Sequence, residues 1–293
     1  MTNQIFYSVD EIEKTAEVLK RLRPAYNDLL DFYKEIFVAQ ENARQHINLD
    51  PIAIPKHVLD IKLKEGFPLI NQSEFVIEKT VSEDLLKALC HIALHANKKL
   101  AISADSLLGA VNNGRFDTAK LFKSFMDEDI AYLENVAEKI NIQQQILSFF
   151  IYNSIKPSLV VNAQKLSKLL PSIDTRVNGL CPVCGKLPGL ATFEGEGEKY
   201  LFCSFCWLKW RIQRLFCAFC GNDAHKSLGY FYSEEEPEYR VDTCNNCKNY
   251  IKAVDARKLD RPLYPPLEQI CTLHLDIKAE EAGFKSSISQ PDM

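Results

Sequence analysis

A chain of 293 residues, 46% hydrophobic and 25% charged, is long enough to bury one large core or two smaller ones. Its net charge of −4 supplies no global attraction for nucleic acid or an anionic membrane surface. The most apolar run, Ile146 to Val161, is interrupted by Asn153, Ser154, Lys156 and Pro157, which argues against a membrane span, and Met1–Asp10 shows neither a basic n-region nor an apolar h-region. No membrane insertion and no export signal are expected, and the expected compartment is the cytoplasm.

Residues 1–175 contain one cysteine, Cys90, and read as helical. Ser8-Val-Asp-Glu11 has the form of a capping box, followed by an apolar stripe of Ile12, Val18, Leu19 and Leu22. A second helix starts at Pro24, carries Leu29, Leu30, Phe32, Tyr33, Ile36 and Phe37, and ends near His46. From Asn48 to about Ser82, Pro51, Pro55, Gly66 and Pro68 punctuate an extended arm with a short helix near Val58–Leu63; such an arm is expected to wrap a core. Ser82 is read as the cap of a helix reaching about Asn97, with Leu85, Leu86, Leu89, Ala93 and Ala96 on its buried face. His91 and His95 are an i, i+4 pair, but they share the face of Asp84 and Lys87 and lack the glutamate of a zinc-helix motif, so they read as a solvated face. Cys90 reads as a small core residue. Asn113-Gly114 marks a turn, and Phe116–Met126, Ile130–Ile140 and Ile142–Tyr152 read as three further helices. Pro157 and Pro171 bracket a last one, Ser158–Leu170. No phosphate loop, nucleophile motif or carboxylate pair stands out in this part.

Ser172–Gly179 reads as a linker, after which the composition changes. Eight of the ten cysteines fall in four Cys-x-x-Cys pairs: Cys181/Cys184, Cys203/Cys206, Cys217/Cys220 and Cys244/Cys247. A two-residue gap lets two thiolates face one ion from a tight turn, and two such turns complete a tetrahedral four-sulfur shell. In a reducing compartment, clustered thiols are metal ligands before they are disulfides. Pairing the turns in sequence gives site 1, Cys181, Cys184, Cys203 and Cys206, and site 2, Cys217, Cys220, Cys244 and Cys247. The gaps of 18 and 23 residues inside these sets suit a hairpin that returns one turn to the other. An interleaved pairing is the alternative and needs longer crossings. Leu190–Phe193 and Lys199–Phe202 flank a Glu194-Gly-Glu-Gly-Glu198 reversal, and Ser227–Tyr232 and Tyr239–Asp242 flank Ser233–Glu238. Gly185 and Gly221 follow the second cysteine of the first pair in each set, where a left-handed residue turns amides toward the sulfurs.

Four thiolates suit zinc or a single iron, and spacing does not choose between them; an iron–sulfur cluster fits separate knuckles less well. A closed shell leaves no position for hydrolytic chemistry, and the metals would supply much of the folding energy of such small ribbons. Between the ribbons, Trp207-Leu-Lys-Trp210-Arg211-Ile-Gln-Arg214-Leu-Phe216 interleaves aromatic and basic residues. Residues 181–293 nonetheless carry 14 Lys and Arg against 16 Asp and Glu, so the segment is read as a link with both tryptophans packed at the ribbon interface, and no nucleic-acid partner is expected. Helical character returns from about Pro262 to Gly283, and the tail Lys285–Met293 is polar and read as frayed.

These residues resemble the FdhE family of formate dehydrogenase accessory proteins. The resemblance is strongest in Cys181-Pro-Val-Cys-Gly185 with Cys203-x-x-Cys206, then in Cys217-x-x-Cys-Gly221 with Cys244-x-x-Cys247, and extends to Ala282-Gly-Phe-Lys-Ser286. Weaker similarity covers Leu29-Leu-Asp-Phe-Tyr33, Ala39-Gln40 and Gly66-Phe-Pro-Leu69; the Ile288-Ser-Gln-Pro291 end is less apolar than in relatives. The resemblance implies a cytoplasmic, non-catalytic factor that binds the molybdenum- or tungsten-containing catalytic subunit of a formate dehydrogenase and supports its maturation. It implies two metal ions, with iron favoured over zinc, held by the eight knuckle cysteines. The expected architecture is α+β: an all-α helical domain (1–175), two tandem rubredoxin-like or zinc-ribbon four-cysteine modules (176–212 and 213–260), and a C-terminal helix and tail (261–293). Two other functions would use the same cysteines: rubredoxin-like electron transfer, and zinc-ribbon nucleic-acid binding through Lys209, Arg211 and Arg214. The helices are expected to have their own core, so Cys181→Ser and Cys244→Ser should each cost one metal and leave the helical part folded.

Overall fold

The computed structural model describes residues 7–171 and 179–287; all of the expected linker but Gly179, and the end from Ile288, lie outside them. The first helix, α1 (Val9–Leu22), carries the expected capping box: Glu11 donates its amide to Ser8 Oγ at 3.2 Å, and its carboxylate accepts from Ser8 N at 2.7 Å. It buries Ile12, Ala16 and Leu19, while Leu22 stays exposed. Pro24–Tyr26 forms a 3₁₀ turn into α2 (Asn27–Arg44). The arm that follows contains α3 (Lys56–Glu65), ended by Gly66 in the left-handed region at φ 71°.

Helix α4 (Lys79–Ala93) starts three residues before the expected cap. Glu78 is the cap: its carboxylate accepts from Val81 N, and Ser82 lies buried inside the helix. At the other end Asn97, read as the end of this helix, instead caps α5 (Lys98–Asn112) by accepting from Leu100 N at 3.0 Å. A side-chain acceptor before three free amides starts a helix better than it continues one. Helices α6 (Thr118–Met126) and α7 (Ile130–Lys139) follow, capped by Asp117 and Asp129.

Two expected helices are one: α8 runs unbroken from Gln144 to Ser167 with Pro157 inside it. A mid-helix proline has no N–H for the carbonyl four residues back, here that of Asn153, at a cost of about 3 kcal/mol or more. Gln40 of α2 supplies the missing donor, its Nε2 lying 2.8 Å from the Asn153 carbonyl and 3.0 Å from the Asn153 side-chain oxygen. Gln40→Leu would leave that buried carbonyl unpaired, and urea denaturation should show a loss of about 1–3 kcal/mol. In a Pro157→Ala background, where residue 157 regains its N–H, the same substitution should cost measurably less. Equal costs in both backgrounds would refute this account. Helix α8 is buried on nearly every side between α2, α4, α5, α6 and α7, which form the helical layer around it.

Past residue 179, β1 (Pro188–Glu194), β2 (Glu198–Cys203) and β3 (Lys209–Ile212) form one antiparallel unit. A second unit consists of β4 (Leu228–Tyr232), β5 (Tyr239–Cys244) and β6 (Asn249–Asp255). The two do not stand apart as separate ribbons. Parallel pairing of β1 with β6, Ala191 opposite Ala253, fuses them head to tail into one sheet ordered β3-β2-β1-β6-β5-β4. The segment read as a link is thus partly structural, since Lys209–Ile212 is the third strand of the first unit.

The C-terminal helical segment is two short helices, α9 (Pro265–Ile270) and α10 (Leu273–Glu281). Buried Glu268 of α9 accepts from Tyr239 Oη at 2.6 Å and pairs with Arg261, which ties α9 to β5. Lys285–Ser286, read as part of a frayed tail, forms β7 and pairs in parallel with the start of β6. One continuous hydrophobic core runs through helices and sheet, so the helical part does not have a core to itself. No helix among the described residues is long and apolar enough to cross a membrane.

Candidate metal centres

Each Cys-x-x-Cys pair sits on a tight turn at the end of a strand or at the start of a unit. The cysteine sulfurs gather in two sets, Cys181, Cys184, Cys203 and Cys206, and Cys217, Cys220, Cys244 and Cys247, all atoms of a set lying within 4.8 Å of one another. This is the sequential grouping. In the first set Cys184–Cys203 is 3.5 Å, and Cys181–Cys206 and Cys184–Cys206 are 3.6 Å; in the second, Cys217–Cys247 is 3.6 Å and Cys220–Cys244 is 3.8 Å. A tetrahedron with metal–sulfur bonds of about 2.3 Å has edges of about 3.8 Å, whereas a disulfide would bring two sulfurs to about 2.05 Å. The donor sets therefore fit two metal ions, one in each.

All four turns end the same way. The residue after the second cysteine is left-handed in each: Gly185 (φ 73°), Trp207 (φ 57°), Gly221 (φ 73°) and Lys248 (φ 60°). Glycine marked two of them in the sequence; Trp207 and Lys248 carried no such marker. The conformation closes the turn, with the amides of Gly185, Gly221 and Lys248 donating back to the carbonyls of Cys181, Cys217 and Cys244. Other donors face the sulfurs themselves. The Phe205 and Cys206 amides lie 3.4 Å from Cys203 Sγ, and the Asn246 and Asn222 side chains lie 3.6 Å from Cys220 and 3.7 Å from Cys244. Desolvation opposes a thiolate at Cys203, yet hydrogen bonds from its three partner thiols and the Cys206 amide hold it well below the ordinary thiol range. At Cys220 desolvation is likewise outweighed, chiefly by the Asn246 amide, and the thiol is brought down to about 7.

The two sets differ in what covers them. Every cysteine of the first is buried. Both of its inter-cysteine dipeptides are held by the helical part: Leu69 N and Ile70 N donate to the Pro182 and Val183 carbonyls at 3.0 and 2.9 Å, and Tyr152 Oη donates to those of Ser204 and Phe205 at 3.1 and 2.9 Å. The Phe205 ring packs between Phe75 of the arm and Tyr152 of α8, and Lys186 pairs with Glu128 at 2.9 Å. The arm thus wraps the core by clamping the first knuckle. Sequence reading did not connect Leu69, Ile70 and Tyr152 to the site; the one hint was Gly66-Phe-Pro-Leu69 recurring in the same resemblance as the cysteines. In the second set Cys220 is exposed and Cys247 half-buried. Its neighbour is the C-terminal segment, where Lys285 N donates to the Lys248 carbonyl at 2.8 Å.

Other residues singled out in the sequence lie elsewhere. His91 and His95 are exposed, and Cys90 and Cys271 are buried core residues whose thiols burial pushes up to about 12. Trp210 is buried on β3, but Trp207 does not pack between the units: its ring faces α8, 4.6 Å from Lys156 Nζ. Lys209 pairs with Glu194 at 2.5 Å, and Arg211 lies 4.0 Å from Glu198.

Comparison with known proteins agrees with this architecture. The model of the FdhE central domain matches residues 180–214, the span of the first four-cysteine unit. The chain is 28% identical over 271 residues to the protein FdhE homolog of Aquifex aeolicus, covering 91% of this chain and 89% of the relative. It is 27% identical over 276 residues to the FdhE homolog of Haemophilus influenzae strain PittGG, covering 93% and 85%. Its fold matches the crystal structure of the FdhE protein from Pseudomonas aeruginosa with a TM-score of 0.68, over 98% of this chain and 97% of that one, at 20% identity. The resemblance to the FdhE family first read from the cysteine array therefore holds along nearly the whole chain.

Proposed function

From this kinship with the FdhE proteins, we propose that the chain is a non-catalytic accessory factor of a formate dehydrogenase, and that it binds the molybdenum- or tungsten-containing catalytic subunit in the cytoplasm and supports its maturation. The observation that carries this reading is similarity along nearly the whole chain, with both four-cysteine sets and the segments that flank them present together. In this reading Cys181, Cys184, Cys203 and Cys206 hold one metal ion, and Cys217, Cys220, Cys244 and Cys247 hold the other, with iron favoured over zinc. A four-thiolate iron changes by one electron with little rearrangement, and either metal would cross-link the turns it joins. A shell already filled by four sulfurs leaves no position for a substrate, which supports a role in recognition rather than turnover.

The test is co-purification. A tagged formate dehydrogenase catalytic subunit from a host that carries this protein should capture it, and deleting its gene should leave the enzyme present but inactive. No association, together with full enzyme activity in the deletion strain, would overturn the proposal.

A further inference from the structure

Burying a lysine is costly unless its ammonium finds a carboxylate or several carbonyls. Three lysines are buried among the described residues. Two obey that rule: Lys199 pairs with Asp242 at 2.6 Å, and Lys252 pairs with Asp276 at 2.6 Å and donates to the Gln269 carbonyl at 2.8 Å. The third, Lys156, is 7% exposed, and among the described residues no carboxylate pairs with its ammonium and no acceptor takes a hydrogen bond from it. Instead the ammonium sits 5.0 Å from the ring centre of Phe37 and 4.6 Å from that of Trp207.

Both rings, and Lys156 itself, line a partly open cavity of about 60 Å³ between α2, α8, the end of β2 and the start of α9. One water needs roughly 10–15 Å³ on that scale and an apolar cavity of about 150 Å³ holds benzene, so a compact organic group would fill this cavity and extend through its open side. Tyr7 and Tyr264 complete a wall that is mostly aromatic and proline. The other charges in the lining cancel, because Glu41 is engaged by Arg44 through a fork of two hydrogen bonds, one of them 2.8 Å long. One lysine without a carboxylate partner therefore remains in an apolar cleft, its ammonium facing two aromatic rings. An apolar pocket with one or a few convergent polar groups is the usual form of a small-molecule site.

We propose that this cavity binds a small monoanion made of a flat apolar group and one carboxylate, with the carboxylate against Lys156 and the apolar group along the aromatic and proline wall. The unpaired ammonium, the net charge of the lining and the aromatic walls select the same ligand class. Burial lowers Lys156 to about 7, which is the penalty that a bound carboxylate would relieve. The site stands on the cavity alone and is independent of the role proposed for the metal centres.

The full, metal-loaded protein should be titrated calorimetrically with benzoate and, as a neutral isostere, benzamide. Benzoate should bind saturably and at least about tenfold more tightly than benzamide, the effect of roughly 1.4 kcal/mol from one charge interaction. Lys156→Met should abolish that preference while keeping the parent melting temperature or exceeding it, since it removes an unpaired buried charge. Lys156→Arg, which keeps the charge, should retain part of the preference and guards against misreading a folding defect. N-acetylphenylalanine tests whether the carboxylate comes from a chain terminus; its preference over benzoate would support the same chemistry from that source. Equal affinity for benzoate and benzamide, unchanged preference in Lys156→Met, or no saturable heat with any of these acids would overturn the proposal.

Discussion

Cys181→Ser is expected to lower the melting temperature of the whole chain, helices included, whereas Cys244→Ser should remove one metal and leave the helical transition nearly in place. With a separate helical core the two substitutions would behave alike, but the core is shared and the first knuckle lies within it. The carbonyls of Pro182, Val183, Ser204 and Phe205 are satisfied by Leu69, Ile70 and Tyr152, so loosening this site unpairs groups of the arm and of α8 as well. Loss of a buried metal site belongs among the mechanisms that exceed about 4 kcal/mol. For a chain of this size that corresponds to roughly 10 °C or more in melting temperature. The second set has an exposed cysteine and, among the described residues, no such hydrogen bonds from the N-terminal helices, so its loss should appear as a small early transition followed by helical melting within a few degrees of the parent. Elemental analysis should find one equivalent of metal missing from each variant, and ellipticity at the helical band should separate them. Indistinguishable helical melting in the two variants would mean that the shared core does not couple site 1 to the helices.

A strong chelator is expected to take one equivalent of metal from the loaded protein well before the other. Ligand exchange requires an incoming donor to reach the ion, and the exposed Cys220 beside half-buried Cys247 leaves that path open at site 2. At site 1 the four cysteines are between 0% and 6% exposed and lie beneath the arm and α8, so exchange there waits on an opening of the fold. Release should be biphasic with equal amplitudes and rates at least about tenfold apart, equivalent to a barrier difference of roughly 1.4 kcal/mol or more. The fast phase should vanish in Cys244→Ser and the slow phase in Cys181→Ser. Release of both ions in a single phase would show that the two sites open together.

The cysteine turns, the hairpins and most helices were legible because their signals are local: a two-residue gap, an alternation, an apolar stripe, a serine three residues before a glutamate. What escaped was held by partners distant in the chain. Pro157 reads as a break because its remedy, Gln40, lies 113 residues away from the carbonyl that needs it. Helix α5 buries Ser103, Ala104 and Ala110 beside Leu107, a face too small and too polar to register as a stripe. Strand β3 is four residues long, and the parallel pairing of β1 with β6 depends on no residue pattern within either strand. At the candidate metal centres the cysteine sets could be grouped from spacing, but the unequal covering of the two sets could not. Nothing near Cys181 announces that a distant arm will reach it, and nothing near Cys220 announces that none will.

The bond from Gln40 also constrains the order in which the chain can assemble. Until α2 docks, residues 144–156 and the segment beginning at Pro157 are expected to behave as two short helices, each marginal alone. They become a single rod only when a contact over long sequence separation forms, and such contacts carry a loop-closure cost before any gain. The central helix around which the other helices pack is therefore expected to become one rod only as α2 docks.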